Sequence, residues 1–273
     1  MRDENYPTLT LNDDRQIPQL GFGTWQIENE DAPDAVATAI DVGYWLIDTA
    51  AVYKNEEGVG KGIGDWSDIF LQTKIWNESQ GYNRTKKAFA NSLKRLDREY
   101  VDMLLIHWPC PQQDKFVETW KAMIELREEG TAKSIGVSNF REEDLKRLVD
   151  ETGVVPALNQ IELHPSFQQR ALRETHKEMG IVTQSWSPLG QGKGMGKDVI
   201  GKIAEETGQD AAAVILRWHI QHGLAPIPKA SSRAHIEANF SALQFELTDD
   251  QMERIDALDS ADGRIGPDPA SFD

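Results

Sequence analysis

The sequence has one cysteine, a shortage of basic residues and no long apolar run, and each shortage excludes a class of protein. Cys110 cannot form an internal disulfide, so a disulfide-stabilised secreted fold is excluded and a reducing compartment is expected. No apolar run approaches the roughly 18 residues of a membrane-spanning helix. The opening residues MRDENYPTLTL lack the basic and apolar regions of a signal peptide. The sequence therefore predicts a soluble, cytoplasmic protein without a membrane partner.

The shortage of positive charge restricts the partners further. The 29 lysine and arginine residues face 45 aspartate and glutamate residues, which gives a formal net charge of −16 at pH 7. A protein this acidic repels nucleic acid and anionic membrane surfaces, so no nucleic-acid partner is predicted. An anionic ligand would need a local cluster of basic side chains that overcomes the repulsion from the rest of the protein.

Flexible linkers, low-complexity segments and abrupt changes of composition are absent as well, so one domain is predicted over residues 1–273. The segment TLTLNDDRQIPQL places alternating apolar residues on both sides of residues 12–14, which predicts an N-terminal β-hairpin. Short apolar runs and amphipathic segments then alternate along the chain. Several of the amphipathic segments end in glycine, as helices commonly do.

Eight short apolar runs are predicted to be β-strands. They cover residues 20–23, 45–48, 69–74, 101–107, 134–137, 157–160, 181–184 and 224–227. Eight strands with helices between them predict an α/β fold, a (β/α)8 TIM barrel that carries the N-terminal hairpin. A doubly wound open sheet is the alternative, but no GxGxxG motif follows the first strand to support it.

Three consecutive predicted strands end in side chains that can ionise. Asp48, Lys74 and His107 close the second, third and fourth runs, and Tyr53 follows shortly after Asp48. In a (β/α)8 barrel the chemistry lies at the carboxyl ends of the strands, so these side chains are expected to meet at one rim. The Asp48 carboxylate would be costly to bury without a partner, and Lys74 is the expected partner.

This combination suits proton donation to a carbonyl oxygen. A tyrosine hydroxyl has a pKa of about 10, and the Lys74 ammonium is expected to lower the pKa of Tyr53 by favouring the phenolate. Asp48 would keep Lys74 charged and in position, while His107 would hydrogen-bond the carbonyl oxygen and orient it. The four residues together predict a carbonyl reduction, in which an oxygen gains negative charge and then a proton.

Other interpretations of the same residues stay open. Taken singly, an aspartate at a strand end usually caps a turn, and a histidine there is usually a structural residue of the rim. A barrel hydrolase or isomerase that uses Asp48 and His107 is a competing function, since a fold alone does not fix the chemistry. Glu162 and His164 in IELHP have no further ligand pair at suitable spacing, so no metal site is predicted.

Eight motifs resemble the aldo-keto reductase family from end to end of the chain. They are GFGTW, DTAAVYKNEEGVGKGI, TKIW, LLIHWP, SIGVSNF, NQIELHP, WSPLGQG and IPKASS, in the family's order. The likeness is greatest to the bacterial 2,5-diketo-D-gluconate reductases and related broad-range carbonyl reductases. It implies a monomeric (β/α)8 barrel that binds NADPH in an extended pose and transfers the pro-R hydride to an aldehyde or ketone.

The resemblance also implies a role for each residue at the predicted rim. Tyr53 is the general acid, Asp48 and Lys74 tune it, and His107 positions the carbonyl. A non-catalytic, nicotinamide-binding sensor protein of the same fold is the alternative function. Such a protein would tolerate loss of these residues, so the presence of all four favours an enzyme.

The later strands are implied to bind the cofactor. The residues concerned are Ser138, Asn139, Gln160, Trp186, Ser187, Leu189 and Gln191. The first three would hold the nicotinamide carboxamide, and Trp186 would stack against the nicotinamide ring. Lys193, Lys197 and Lys202 follow the seventh run and are predicted to form a basic patch over the pyrophosphate, with an ordinary solvated loop as the alternative.

The segment KASSRAHIEANF bears on the choice between NADPH and NADH. Lys229 and Asn239 match the family's 2′-phosphate clamp, and Ser232 can donate a hydrogen bond. His235 stands where the family usually has an arginine, so a fixed charge and a stacking plane are lost. The segment predicts NADPH as cofactor with a weakened preference, and use of NADH as well.

Four aromatic residues in or just after predicted strands are predicted to line the substrate pocket, with packing at the barrel rim as the alternative for at least one of them. They are Phe22, Trp25, Trp76 and Trp108. Rings of this kind form an apolar-walled pocket that suits a small carbonyl compound. The C-terminal tail is short, and the resemblance implies that a short tail leaves the pocket open to a range of substrates.

Overall fold

A computed structural model describes residues 6–192 and 199–273. Its strands are β1 (Thr8–Thr10), β2 (Gln16–Pro18), β3 (Phe22–Gly23), β4 (Leu46–Asp48), β5 (Phe70–Ile75), β6 (Val101–Ile106), β7 (Ala132–Ser138), β8 (Leu158–Glu162), β9 (Val182–Trp186) and β10 (Ala225–Pro226). Its α-helices are α1 (Ala32–Val42), α2 (Glu56–Ile63), α3 (Tyr82–Leu96), α4 (Phe116–Glu128), α5 (Glu142–Thr152), α6 (Arg170–Met179), α7 (Val199–Thr207), α8 (Ala211–Gln221), α9 (Arg233–Phe240) and α10 (Asp249–Asp256). From β3 onward, helices follow strands as the sequence predicts.

Strands β3 to β10 form one parallel sheet in which each strand pairs with its neighbours in chain order. The two edges of this sheet meet, because the N–H of Gly21 donates to the carbonyl of Pro226 at 3.0 Å. The N–H of Gly23 donates to the carbonyl of Pro228 at the same distance. The (β/α)8 fold class is therefore confirmed. Strand β10 is short because prolines have no N–H to offer to a neighbouring strand.

The predicted N-terminal hairpin is also confirmed, with β1 and β2 paired antiparallel. Its turn is tied to the amino ends of two barrel strands. Ser134, early in β7, donates from its hydroxyl to the Asp13 carboxylate at 2.7 Å. The Asn12 amide donates to the carbonyl of Pro156, just before β8, at 2.9 Å. The hairpin therefore lies across the end of the barrel opposite to the carboxyl ends of the strands.

Inward-facing side chains of the barrel are arranged in layers, because alternate residues of each strand point inward. The layer near the amino ends is apolar and packs against the hairpin. It contains Leu46, Phe70, Met103, Leu105 and Leu158, together with Leu11 and Ile17 of the hairpin. On β4, β5 and β8 the next inward side chains after Leu46, Phe70 and Leu158 are polar; they are Asp48, Gln72 and Gln160, all buried. The change from apolar to polar marks where the site begins.

Outward-facing residues pack against the helices, and Phe22 is one of them. Phe22 is 1% exposed and packs edge-on against Tyr44, with ring centroids 5.8 Å apart. It pairs in register with Ile47, whereas the next pair is Gly23 with Asp48. Registered neighbours face the same side of a parallel sheet and Asp48 points inward, so Phe22 points outward. The structure therefore contradicts the prediction that Phe22 lines the substrate pocket.

Glycines end several helices, as predicted. Gly43, Gly153 and Gly180 directly follow α1, α5 and α6, with φ values of 121°, 70° and 70°. Positive φ is accessible to glycine because it has no Cβ, which lets the chain leave the helix sharply. None of the helices in the described part of the chain is long and apolar enough to cross a membrane.

Candidate active site

The structure brings Asp48, Tyr53, Lys74 and His107 together at the carboxyl ends of β4, β5 and β6. Asp48 is the last residue of β4, Lys74 lies near the end of β5, and His107 directly follows β6. Tyr53 ends a single 3-10 turn after β4. The buried side chain of Asn55 holds this region in place, because its amide donates to the carbonyls of Thr24 and Ile27.

Lys74 is the centre of the group. Its Nζ lies 2.7 Å from each carboxylate oxygen of Asp48, 2.9 Å from the carbonyl oxygen of Thr49 and 3.3 Å from the hydroxyl of Tyr53. The Lys74 side chain is 0% exposed. A buried ammonium needs both a counter-ion and partners for all its N–H groups, and these contacts supply both. The predicted pairing of Asp48 with Lys74 is present in the structure.

The pKa of Tyr53 moves in the direction opposite to the prediction. Burial raises the pKa of the phenol well above its ordinary value of 10.0, and the Asp48 carboxylate raises it further. Burial lowers the pKa of the Lys74 ammonium, although Asp48 beside it acts in the other direction. The lysine charge is matched by its carboxylate partner, so burial decides the pKa of the phenol. Tyr53 is therefore a protonated phenol at neutral pH.

His107 is a neutral imidazole. Burial and the Lys74 ammonium lower the pKa of His107 well below its ordinary value of 6.5. Its ring stands edge-on to Tyr53, with centroids 5.7 Å apart, and to Trp76, with centroids 5.1 Å apart. Within the described residues, Nδ1 is buried without a hydrogen-bond partner. A neutral imidazole keeps one N–H, which suits a single hydrogen bond to a carbonyl oxygen.

The predicted carboxamide-binding residues lie beside this group and contact one another. Ser138 donates from its hydroxyl to the backbone carbonyl of Gln160 at 2.8 Å. The Asn139 amide donates to the carbonyl of His107 and to the hydroxyl of Ser138, each at 3.0 Å. The Trp186 indole N–H donates to the Asn139 carbonyl oxygen at 2.7 Å. These contacts place Trp186 against the predicted carboxamide site; its stacking role stays a prediction.

The loop after β9 has an unusual backbone. Ser187 and Gln191 have φ values of 47° and 53°, a region that non-glycine residues seldom adopt. Leu189 is half-buried and packs at the edge of the cluster that contains α7 and α8 residues. Lys193 and Lys197 fall outside the described residues, whereas Lys202 lies exposed on α7. The predicted basic patch over the pyrophosphate therefore stays a prediction.

The predicted 2′-phosphate segment lies at the start of α9. Lys229, Ser232 and His235 are exposed, whereas Asn239 is buried. Ser232 is the N-cap residue, and its hydroxyl oxygen accepts a hydrogen bond from the backbone N–H of His235 at 3.3 Å. Arg233 forms ion pairs with Asp41 and Glu237 on the outer surface. These two carboxylates engage the guanidinium of Arg233, the one arginine within the segment.

Tryptophans surround the mouth of the barrel together with the chain's tail. Trp108 lies 6.4 Å from Trp186 between ring centroids, and Phe272 of the tail packs on Trp108 at 4.6 Å. Phe272 also reaches the ring of Trp76, at 6.4 Å. Trp25 is 45% exposed and makes none of these ring contacts. The tail thus covers part of the mouth, and the range of substrates that the pocket admits stays a prediction.

Glu162 anchors the tail. Its carboxylate accepts hydrogen bonds from the backbone N–H groups of Ile265 and Gly266, and His164 approaches it at 3.1 Å. Burial works against ionisation, but the hydrogen bonds from His164 and the tail lower the pKa of Glu162 overall. The other ring nitrogen of His164 contacts the hydroxyl of Ser166, so both nitrogens are occupied. Among the described residues, no three acidic, histidine or cysteine side chains group as a metal site would.

Sequence reasoning missed four residues of this site: Glu56, Gln72, Gln184 and Phe272. Glu56 is buried behind Lys74, accepts a hydrogen bond from Thr73 and pairs with Arg95. Gln72 and Gln184 each stand two positions before a predicted site residue on the same strand. That spacing places their side chains on the inward face, which is the signal that could have found them. Phe272 gave no local signal, because its contacts depend on the path of the tail.

Comparison with known proteins agrees with this geometry. Residues 19–260 match the model of the Aldo/keto reductase family. An aldo-keto reductase of Mycobacterium sp. strain JLS is 48% identical over 270 residues, which cover 97% of this chain and 98% of that protein. Methylglyoxal reductase DkgA of Escherichia coli strain K12 is 46% identical over 274 residues, which cover 98% of each protein.

Solved structures give the same result. The crystal structure of apo Gox0644 superposes with a TM-score of 0.96 at 48% identity and covers 97% of this chain and 98% of that chain. A crystal structure of a Gox0644 mutant in complex with NADPH superposes with a TM-score of 0.97 at 47% identity, over 99% of this chain and 100% of that chain. Similarity of this extent, in sequence and in structure, shows that the chain belongs to the aldo/keto reductase family.

Proposed function

We propose that this enzyme reduces small aldehydes or ketones to alcohols with NADPH, and that Tyr53 donates the proton. The observation that carries the proposal is the buried contact of Lys74 with both Asp48 and the Tyr53 hydroxyl. Membership of the aldo/keto reductase family supports the reaction class. DkgA is named as a methylglyoxal reductase, and the Gox0644 mutant was crystallised with NADPH, which supports a small carbonyl substrate and this cofactor.

The residues at the rim fit the nicotinamide end of NADPH. Both amide hydrogens of Gln160 are donated to neighbouring side chains, so its carbonyl oxygen is left to accept a hydrogen bond. A carboxamide NH2 is a suitable donor for it. Ser138 and Asn139 lie beside Gln160, and the indole of Trp186 lies against Asn139. NADPH, when bound here, supplies the hydride that the carbonyl carbon receives.

The side chains of the protein control the proton. Hydride addition to the carbonyl carbon leaves negative charge on the oxygen, and the Tyr53 phenol gives that oxygen its proton. The raised pKa of Tyr53 keeps the phenol protonated before the reaction. The Lys74 ammonium, 3.3 Å from the Tyr53 oxygen, stabilises the phenolate that results. The phenolate then recovers a proton from solvent, which completes the cycle.

His107 has a separate task. Because its imidazole is neutral, it can donate one hydrogen bond to the carbonyl oxygen without protonating it. Its edge-on contacts with Tyr53 and Trp76 hold the ring in one orientation. The carbonyl oxygen would thus lie between the Tyr53 hydroxyl and His107, and its carbon would face the nicotinamide. This arrangement orients the substrate before the hydride moves.

The preference for NADPH over NADH is proposed to be weaker than in a relative that has an arginine at the position of His235. Lys229 and the amino end of α9, where Ser232 is the cap, are the groups available to a 2′-phosphate. His235 is exposed and Arg233 is held by Asp41 and Glu237. Without a free arginine the phosphate loses its strongest bidentate partner, so NADH should also support turnover.

The test is an assay of NADPH and NADH oxidation with methylglyoxal and with a diketo sugar acid. Tyr53→Phe should abolish most of the reduction, because phenylalanine has no proton to give, while NADPH binding measured by fluorescence persists. Tyr100→Phe is the matched control, since Tyr100 is 39% exposed and contacts Lys133 on the surface. Full activity in Tyr53→Phe would refute the assignment. NADPH binding without turnover by the wild type would favour the sensor function.

A further inference from the structure

The inward-facing layer that contains Asp48 holds a closed ring of hydrogen bonds across the barrel. The Gln72 amide donates to the Asp48 Oδ1 atom at 2.6 Å and to the Gln184 Oε1 atom at 2.7 Å. The Gln160 amide donates to the same two oxygens, at 3.0 Å and 2.7 Å. Two donors and two acceptors therefore alternate around a ring that joins β4, β5, β8 and β9.

The orientation of each amide follows from the ring itself. All four amide hydrogens of Gln72 and Gln160 are used, and the Gln184 oxygen accepts two of them. A flipped Gln184 amide would point its NH2 group at two other NH2 groups, which cannot hydrogen-bond one another. Of the two possible orientations of the Gln184 amide, only the observed one can accept hydrogen bonds from Gln72 and Gln160.

The ring acts on Lys74 through Asp48. Oδ1 of Asp48 accepts from both amides, and the Lys74 Nζ atom lies 2.7 Å from both Oδ1 and Oδ2. Two donors on one oxygen fix the plane of the carboxylate, and the fixed plane determines where the Lys74 Nζ atom can lie. Lys74 in turn lies 3.3 Å from the Tyr53 hydroxyl.

A purely structural role does not explain why this layer is polar. Gln72 and Gln184 are both 0% exposed, and one atom of each, the Gln72 Oε1 and the Gln184 Nε2, is buried without a partner in the described residues. Such atoms cost stability. The layer below is filled by apolar side chains such as Leu46 and Phe70, which shows that the same barrel accommodates a layer without that cost.

We propose that Gln72 and Gln184 are positioning residues for proton transfer, which hold the Asp48 carboxylate so that Lys74 meets the Tyr53 hydroxyl. The inference rests on the proposed function, because it assumes that Tyr53 donates the proton. Gln184 acts on Asp48 indirectly, because it holds in place the amides of Gln72 and Gln160, which contact the carboxylate.

The first experiment replaces Gln72 by methionine, which keeps the length of the side chain and removes its hydrogen bonds. Gln72→Met should lower kcat by about 10-fold to about 100-fold, because a small misplacement of a reacting group has an effect of that size. The KM for NADPH should be unchanged, since the nicotinamide residues are intact. Gln184→Met should lower kcat to a similar extent, and this variant serves alone if Gln72→Met does not fold.

A matched control separates positioning from stability. Gln168 is 1% exposed and donates to the backbone carbonyls of Pro165 and Ile255, away from Asp48. Gln168→Met should lower the melting temperature and leave kcat unchanged. The double variant Gln72→Met with Gln184→Met should lose less activity than the product of the two single losses, because either change alone opens the ring.

The outcomes distinguish this inference from the proposed function. If Tyr53→Phe abolishes reduction but Gln72→Met and Gln184→Met keep the wild-type kcat, the positioning inference is refuted and the proposed function stands. Losses of kcat in these variants that merely match the loss in Gln168→Met at equal melting temperature would also refute it. If Tyr53→Phe stays active, the proposed function fails, and the inference fails with it.

Discussion

The buried pair of Lys74 with Asp48 gives a stability prediction whose size follows from the structure. At 2.7 Å and an effective dielectric constant of about 20, the two charges attract by about 6 kcal/mol. Much of this offsets the cost of taking both groups out of water, but removal of one partner leaves the other charge buried and unpaired. Such removals cost about 3 to 5 kcal/mol, which for a chain of this size lowers the melting temperature by about 6 to 10 °C.

The assay is calorimetric melting of the wild type, Lys74→Met, Asp48→Asn and the double variant. Each single variant should melt about 6 to 10 °C below the wild type. The melting temperature of the double variant should fall by much less than the sum of the two single losses, because no unpaired charge is left buried. Lys61→Met is the matched control, because Lys61 pairs with Glu57 at a similar distance, 2.8 Å, but both side chains are mostly exposed. A solvent-screened surface pair contributes little to stability, so the control should melt within about 1 °C of the wild type. Equal losses in Lys74→Met and Lys61→Met would refute the reasoning, and so would strict additivity in the double variant.

Three further predictions concern the reaction. Because burial and Asp48 raise the pKa of Tyr53, the phenol stays protonated, and kcat for carbonyl reduction should be flat from about pH 6 to about pH 9. The rate of the reverse reaction, alcohol oxidation, should rise with pH because it needs the phenolate. A fall in the reduction rate centred near neutral pH would contradict this prediction. His235→Arg should raise the preference for NADPH over NADH, measured as a ratio of kcat/KM, by about 10-fold, and an unchanged ratio would contradict the assignment of the phosphate segment. Phe272→Ala removes the ring that packs on Trp108 and should shift kcat/KM towards bulkier carbonyl compounds by about 10-fold; an unaltered substrate profile would show that the tail does not border the pocket.

The parts of the fold that sequence predicts well are those set by local patterns. Apolar runs of strand length and glycines at helix ends depend on side chains that are near in sequence, so the hairpin, the strands and several helix ends follow from them. The placement of Asp48, Lys74 and His107 at one rim also follows, since parallel strands of a barrel share a direction. The family resemblance added the cofactor residues, which no local pattern marks.

The parts that sequence missed depend on contacts between distant segments. Phe22 faces outward because of its register with Ile47, and a strand of two residues is too short to reveal which face is apolar. The direction of the Tyr53 pKa shift depends on burial by the assembled rim rather than on any neighbour in sequence. Gln72 carries no charge, so its residue type does not mark it as a site residue, and its contact with Asp48 depends on the assembled barrel.

The hairpin across the amino ends of the strands limits the passage of water and protons through that end of the barrel. Leu11 and Ile17 of the hairpin pack against the apolar layer and fill that end of the barrel. Among the described residues, Tyr53 lies at the opposite end, beside Trp76 and His107. On the proposed mechanism, the proton that restores the Tyr53 phenol enters through the mouth at that end, so recovery of the acid would follow departure of the alcohol product.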